Sequence, residues 1–295
     1  MSFAKLSEII ELSEEQKVPF WQIILQEDMR ERNVTKDDSM QTMLSMLEAM
    51  QEADRTYNPE LKSASGLAGG DGARLEQYRK KKNRLLGDFL AEVMEKAVKM
   101  GESNACMRRI VAMPTAGSCG VIPAVLLTYQ EQRQVSQERM VEALYVAGGI
   151  GEVIATSASI SGAEGGCQAE IGSASAMAAG AVTYLENGNN EEIIHAAAFA
   201  LKNMLGLTCD PVAGLVEVPC IKRNIAGAVN AVVASQLALA GVRSAIEPDE
   251  VVASMKRIGR LLPACLRETG QDGLAITESA KKVEARMSQE WDITG

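Results

Sequence analysis

Aromatic side chains make up only 4% of this 295-residue chain: two Trp, five Tyr and four Phe. A β-sandwich or barrel would want more aromatic and β-branched residues to cover its pleated faces. No segment reads as a strand of alternating polarity, and no internal repeat of fixed period is present, which argues against sheet and solenoid architectures alike. Positive charge is also short. Thirty Lys and Arg stand against 39 Asp and Glu, a net charge of −9, so a broad nucleic-acid or anionic-membrane footprint is not expected. The one basic run, YRKKKNR at 78–84, is brief and reads as a solvated helix face.

Two further absences concern location. The start MSFAKLSEIIELSEEQ is amphipathic and charged, with no apolar core of a signal peptide. No charge-free run of about 18 apolar residues is seen, so no membrane span is expected. Six cysteines without a secretory signal read as reduced thiols or metal ligands rather than disulfides, and the expected location is the cytoplasm. No CxxC pair exists, which counts against a zinc finger or ribbon. Histidine occurs once, as His195 within EEIIHAAAFALKNML, an apolar helical pattern that reads as structural.

What is present is helix-forming. Hydrophobic residues reach 46%, with Ala, Gly and Met abundant, the composition of closely packed helices. Apolar residues recur at helical spacing over 3–16, 18–32 and 35–57, the last with the stripe Met40, Met43, Leu44, Leu47 and Met50 and a start signal at Thr35. Further helices are expected over 74–100, from Val121, and over 137–158, 174–187, 191–205, 227–244 and 249–262, with one amphipathic helix closing the chain. The expected fold is all-α: an N-terminal helical segment, 1–61, and a helical body, 62–295.

Periodicity fails in four places. KSASGLAGGDGA, 62–73, holds four glycines and two serines, and reads either as a flexible linker or as a tight anion-cradling loop. PTAGSCG, 114–120, feeds a helix N-terminus, a natural seat for a carboxylate or phosphate. SISGAEGGCQAEIG, 159–172, and GLTCDPVAGLVEVPC, 206–220, carry Cys167, Cys209 and Cys220 among glycines and prolines. Three thiolates so placed could ligate an iron–sulfur cluster or zinc, or could simply be small buried residues. Cys106 and Cys265 read as core residues, and Cys119, inside PTAGSCG, as packing.

These four segments together, over nearly the whole chain, resemble the α-subunit of iron–sulfur-dependent L-serine dehydratase, the two-subunit bacterial L-serine ammonia-lyase. The resemblance implies a [4Fe–4S] cluster held by Cys167, Cys209 and Cys220, with one iron left open. It implies dehydration and deamination of L-serine to pyruvate and ammonia, and a β-subunit partner. In that family the catalytic histidine lies in an SSSHT-type segment of the β-subunit, and no such segment occurs here, so the base is expected from the partner. By the same resemblance Thr115, Gly117 and Ser118, and after them Ser65 and Gly66, are candidates for binding the serine carboxylate. Asp210, Arg223 and Asn224 adjoin the cysteines. Two other classes compete: a pyridoxal-phosphate dehydratase, for which Lys62 beside SASGLAGG is the tempting lysine, and a non-catalytic helical scaffold.

Overall fold

The computed structural model describes residues 3–81 and 84–292, and among these residues there are thirteen α-helices and no strand. Three lie N-terminal: α1 (Leu6–Gln16), α2 (Phe20–Arg32) and α3 (Lys36–Arg55). Thr35 opens α3 with a reciprocal capping box, its Oγ1 accepting from the Asp38 amide at 3.2 Å while the Asp38 carboxylate takes the Thr35 amide at 3.3 Å. The methionine stripe of α3 turns inward, burying Leu47 and Met50 with Met40, Met43 and Leu44 packed beside them.

The helical pattern over 74–100 is two helices rather than one: α4 (Asp71–Arg79) and α5 (Asp88–Ala105). Between them Leu85 is 99% exposed, and Gly87 caps α5 in an extended conformation. No apolar stripe crosses this stretch to hold a continuous helix against the core. Instead α4 folds back along α5, where Arg79 pairs with Glu95 at 2.6 Å and Lys99 bridges Glu95 and Glu76. Of the basic run, Lys82 and Asn83 lie outside the described residues.

The centre of the molecule is α9 (Ser173–Leu185), in which every residue is buried. Around it pack α6 (Val121–Arg133), α7 (Gln137–Ser157), α10 (Asn190–Asn203) and α11 (Cys220–Leu239). The sequence SASAMAAGAVTYL explains how one helix can be covered on all sides: small side chains let neighbours approach closely. A Cβ on Gly180 would lie 2.1 Å from Ile150 Cδ1, and Ser175 Oγ donates to the Gly227 carbonyl of α11 at 2.7 Å. By length and composition α7 could cross a membrane, but two-thirds of it is buried against α2, α3 and α9, as a core helix is.

Leu6, Ile9, Phe20, Ile23 and Ile24 of the first helices share one continuous core with α6, α7 and α9. A Cβ on Gly149 of α7 would lie 2.4 Å from Ile24 Cδ1, so residues 3–61 are wedged against the body. The remaining elements are α8 (Gly162–Gly165), α12 (Pro248–Leu261) and α13 (Glu278–Asp292). Helix α11 starts seven residues before the expected Gly227, because Ile221 and Asn224 already lie on its buried face. That shift makes Cys220 the first residue of a helix.

Candidate functional site

Cys167, Cys209 and Cys220 come from three separate segments and are all buried. Cys167 directly precedes a π-turn, Gln168–Gly172, that leads into α9. Cys209 follows α10 in extended backbone, held by the only bridge pairing among the described residues, to Arg267: its amide donates to the Leu266 carbonyl at 2.9 Å and its carbonyl accepts from the Glu268 amide at 2.7 Å. Cys220 opens α11.

The three thiols interact. The neighbouring Cys209 thiol, opposed by burial and aided by the Arg223 guanidinium, holds Cys167 below the ordinary thiol range. Cys209 is pushed the other way, first by the Cys167 thiol beside it, then by burial, with Glu170 and Glu268 near it. The negative charge of the pair belongs on Cys167, because Arg223 faces it and carboxylates face Cys209. Burial, with the Cys167 charge beside it, pushes Cys220 up to about 12.

Arg223 is itself braced, donating to the Thr208 carbonyl at 2.7 Å and to Asp210 Oδ1 at 3.0 Å. Asp210 Oδ2 accepts from the Leu274 amide at 2.9 Å. Asn224 clips the PTAGSCG loop to α11: its Oδ1 accepts from the Gly120 amide at 2.8 Å, and its Nδ2 donates to the carbonyls of Gly117 at 2.8 Å and Cys220 at 3.0 Å. All three residues adjoining the cysteines in sequence therefore support them in space.

One residue at the centre was not singled out from the sequence: Glu170. Its Oε1 accepts from Thr115 Oγ1 at 2.9 Å, and its Oε2 lies 4.0 Å from Cys209 Sγ. Burial raises its pKa, with the Thr115 hydrogen bond pulling against that. Glycines leave it room: a Cβ on Gly162 would meet Glu170 Oε2 at 2.9 Å and Cys209 Sγ at 3.1 Å, and one on Gly117 would meet Glu170 Oε1 at 3.3 Å. Ser118, fully buried, sits 3.1 Å from Thr115 Oγ1. The structure thus brings Thr115, Gly117 and Ser118 to the thiols through Glu170. The signal for it was available, since Glu170 is the acid that follows Cys167 within an Ala- and Gly-rich run.

The glycine-rich segment 62–73 is an anion cradle, and its anion is the chain's own. The buried carboxylate of Glu102 on α5 accepts from the amides of Gly69 (3.1 Å), Asp71 (2.8 Å) and Gly72 (3.1 Å) and from the Tyr57 hydroxyl (2.5 Å). Ser63 and Ser65 donate to the buried Glu217, in the loop between Cys209 and Cys220, at 2.8 and 2.5 Å. Arg286 of α13 donates to the Ser65 carbonyl, beside Gly66. Ser65 therefore meets the cysteine loop through Glu217, while Gly66 lies beside Arg286 and donates its amide to the Ser63 carbonyl. Lys62 donates its ammonium to the Gly69 carbonyl at 2.5 Å, and no strand stands near it to build a pyridoxal site.

The other cysteines behave differently. Cys119 is buried, its thiol pushed up to about 12 by burial, and it lies 3.8 Å from the Met100 carbonyl. Cys106 and Cys265 are half-buried rather than core residues, because each sits at the end of a helical turn, Cys106 capping α5 and Cys265 in the turn Ala264–Leu266. His195 is buried in α10, its Nδ1 accepting from the Ser244 amide at 3.2 Å and its Nε2 lying 3.6 Å from Glu191.

Among the described residues, no three His, Cys, Asp or Glu side chains close around a single metal-ion position. What fold and site define is an all-helical protein with three buried thiols converging from distant segments beside a half-buried carboxylate and an arginine. The chain belongs to the serine dehydratase alpha chain family, whose pattern it matches over residues 15–275. It is 44% identical over 285 residues to a probable L-serine dehydratase alpha chain of Bacillus subtilis, covering 97% of this chain and 95% of that one. It is 38% identical over 291 residues to the L-serine dehydratase alpha chain of Peptoniphilus asaccharolyticus, covering 97% and 98%. An L-serine dehydratase of Helicobacter pylori is 35% identical over 287 residues, spanning 93% of this chain but 62% of that longer one.

Proposed function

We propose that this chain is the metal-carrying subunit of an L-serine dehydratase, in which L-serine loses water and then ammonia to give pyruvate. The observation that carries the reading is the convergence of Cys167, Cys209 and Cys220, taken with relatives named for that activity. Serine loses its Cα proton and its β-hydroxyl to give aminoacrylate. That enamine tautomerises to an imine, and one water hydrolyses the imine to pyruvate and ammonia.

The donor set fits a [4Fe–4S] cluster better than a lone zinc ion. Among the described residues no single-ion position is enclosed by three His, Cys, Asp or Glu side chains, whereas a cluster takes its thiolates on separate irons, and Gly162 and Gly117 place no Cβ against Cys209 and Glu170. When bound through Cys167, Cys209 and Cys220, such a cluster has one iron without a protein ligand, a Lewis acid for a hydroxyl leaving group. Arg223 favours the thiolate state that ligation needs. Thr115, Gly117 and Ser118 form the wall beside Glu170 and are the groups we assign to the serine carboxylate, with Glu170 orienting the Thr115 hydroxyl. Ser65, with Ser63, steadies the cysteine loop through Glu217, and Gly66 turns the backbone beside it. The base that takes the Cα proton is assigned to the partner β-subunit, since His195 is tied to the Ser244 amide within the core.

Anaerobic reconstitution with iron and sulfide, followed by a pyruvate assay with and without the β-subunit, tests the reading. Parent, Cys106→Ala and Cys265→Ala proteins should hold iron, while Cys167→Ala, Cys209→Ala and Cys220→Ala should lose it. Equal iron loss in both groups would mean the ligands are misassigned. Full turnover by this chain alone would place the base here, with Glu170 the group to examine first.

A further inference from the structure

We infer that the cavity between the C-terminal end of α7, α8 and α12 is a binding site for a small dianion. The cavity has a volume of about 350 Å³, and its charged lining is Lys256, Arg260 and Arg267 against one carboxylate, Glu164. It therefore carries an excess of two positive charges on a chain whose net charge is −9. Local charge opposite to the whole molecule needs a reason, because it opposes the general field rather than following it.

The cations are not neutralised from within. Lys256 and Arg260 have no ion-pair partner among the described residues. Glu164 turns one carboxylate oxygen to Ser159, whose hydroxyl donates to it at 2.7 Å. Arg267 reaches only the backbone carbonyl of Glu164, at 3.4 Å, and its Nε is buried without a hydrogen-bond partner. Buried donors in folded proteins are nearly always matched. Arginine and lysine side chains gathered on one cavity wall are the groups that take an oxyanion through charge-assisted hydrogen bonds.

The charge excess selects the ligand class. L-Serine is a zwitterion with no net charge and does not match it, whereas a dicarboxylate or inorganic phosphate does. The volume of about 350 Å³ admits molecules of that size. The inference stands independently of the proposed function, but the cavity adjoins that site: Gly165 and Gln168 on its wall flank Cys167, and Arg267 sits within the backbone bridge that holds Cys209. An occupant would tie α12 to both cysteine segments.

Isothermal titration of the full chain at low ionic strength, with succinate, phosphate and acetate as separate probes, tests the site. One dianion should bind saturably at one site per chain, and acetate about tenfold more weakly or worse. Arg260 is exposed and has no hydrogen bond or ion pair among the described residues, so Arg260→Gln should fold as the parent and weaken dianion binding about tenfold. Arg267→Lys, which keeps the charge but removes Nε, should weaken it similarly. Succinate against phosphate decides between carboxylate and phosphate sources. Absence of binding by both dianions, acetate binding as tightly as succinate, or undiminished binding in both variants would each overturn the inference.

Discussion

Thr115 Oγ1 donates a 2.9 Å hydrogen bond to Glu170 Oε1, joining two loops that stand 55 residues apart in sequence. It is the link between the PTAGSCG turn and the thiol cluster. Removing the hydroxyl in Thr115→Val leaves a half-buried carboxylate short of a partner, at a cost of about 1 kcal/mol. Urea denaturation of the metal-free chain should show a lower midpoint with an unchanged slope. An unshifted midpoint would mean that the link contributes nothing to the fold.

The Cys167–Cys209 pair should carry one thiolate in the metal-free protein. The folded pKa of Cys167 is depressed, so the stability it contributes is present above the unfolded value of about 8.5 and is lost as pH falls through the folded value. Thiolate absorbance should therefore show a group titrating below the ordinary cysteine range, absent in Cys167→Ala and moved upward in Arg223→Gln. Cys119 and Cys220, both pushed up to about 12, should stay protonated at neutral pH. A titration unaltered by Arg223→Gln would show that the guanidinium does not act on the thiol.

Glu102 and Gly69 are the fixed points of the 62–73 loop. Gly69 has φ +121° and a Cβ there would lie 2.1 Å from the Leu61 carbonyl oxygen, so Gly69→Ala should cost about 1–3 kcal/mol or more. Glu102→Leu strands three amides and a tyrosine hydroxyl and should cost at least about 3 kcal/mol. Thermal unfolding checks both, and either variant melting with the parent would show that the loop is not built on this carboxylate.

His195→Ala should behave as a structural change. It removes the acceptor for the Ser244 amide, worth about 1 kcal/mol, and should lower the melting temperature by a few degrees. Serine turnover by the complex with the β-subunit should stay within a small factor of the parent. Collapse of activity with assembly and iron intact would move the base to this chain.

The helices were legible in the sequence because their signal is local. Positions three and four apart share a face, so the stripe through Met40, Leu44, Leu47 and Met50 declares α3 whatever it packs against, and Thr35 with Asp38 declares its start. The break between α4 and α5 lies where the apolar stripe lapses around the exposed Leu85, a local feature that was passed over. The early start of α11 was missed for the reverse reason: it depends on which face a distant partner covers, as for Ile221 and Asn224 where α11 meets α5 and the PTAGSCG loop.

The sequence by itself determined the helical class and the small-residue helices that permit a fully buried α9, while of the three cysteines read as loop-borne Cys220 proved to open α11. Only the tertiary structure decided that Cys167, Cys209 and Cys220 face one another, that Glu170 joins them to Thr115, and that the 62–73 cradle is filled by Glu102. Periodicity and turn chemistry act over a few residues and can be read in one pass. A hydrogen bond between residues 115 and 170, or 65 and 217, exists only once the intervening helices have packed, and nothing local to either partner encodes it.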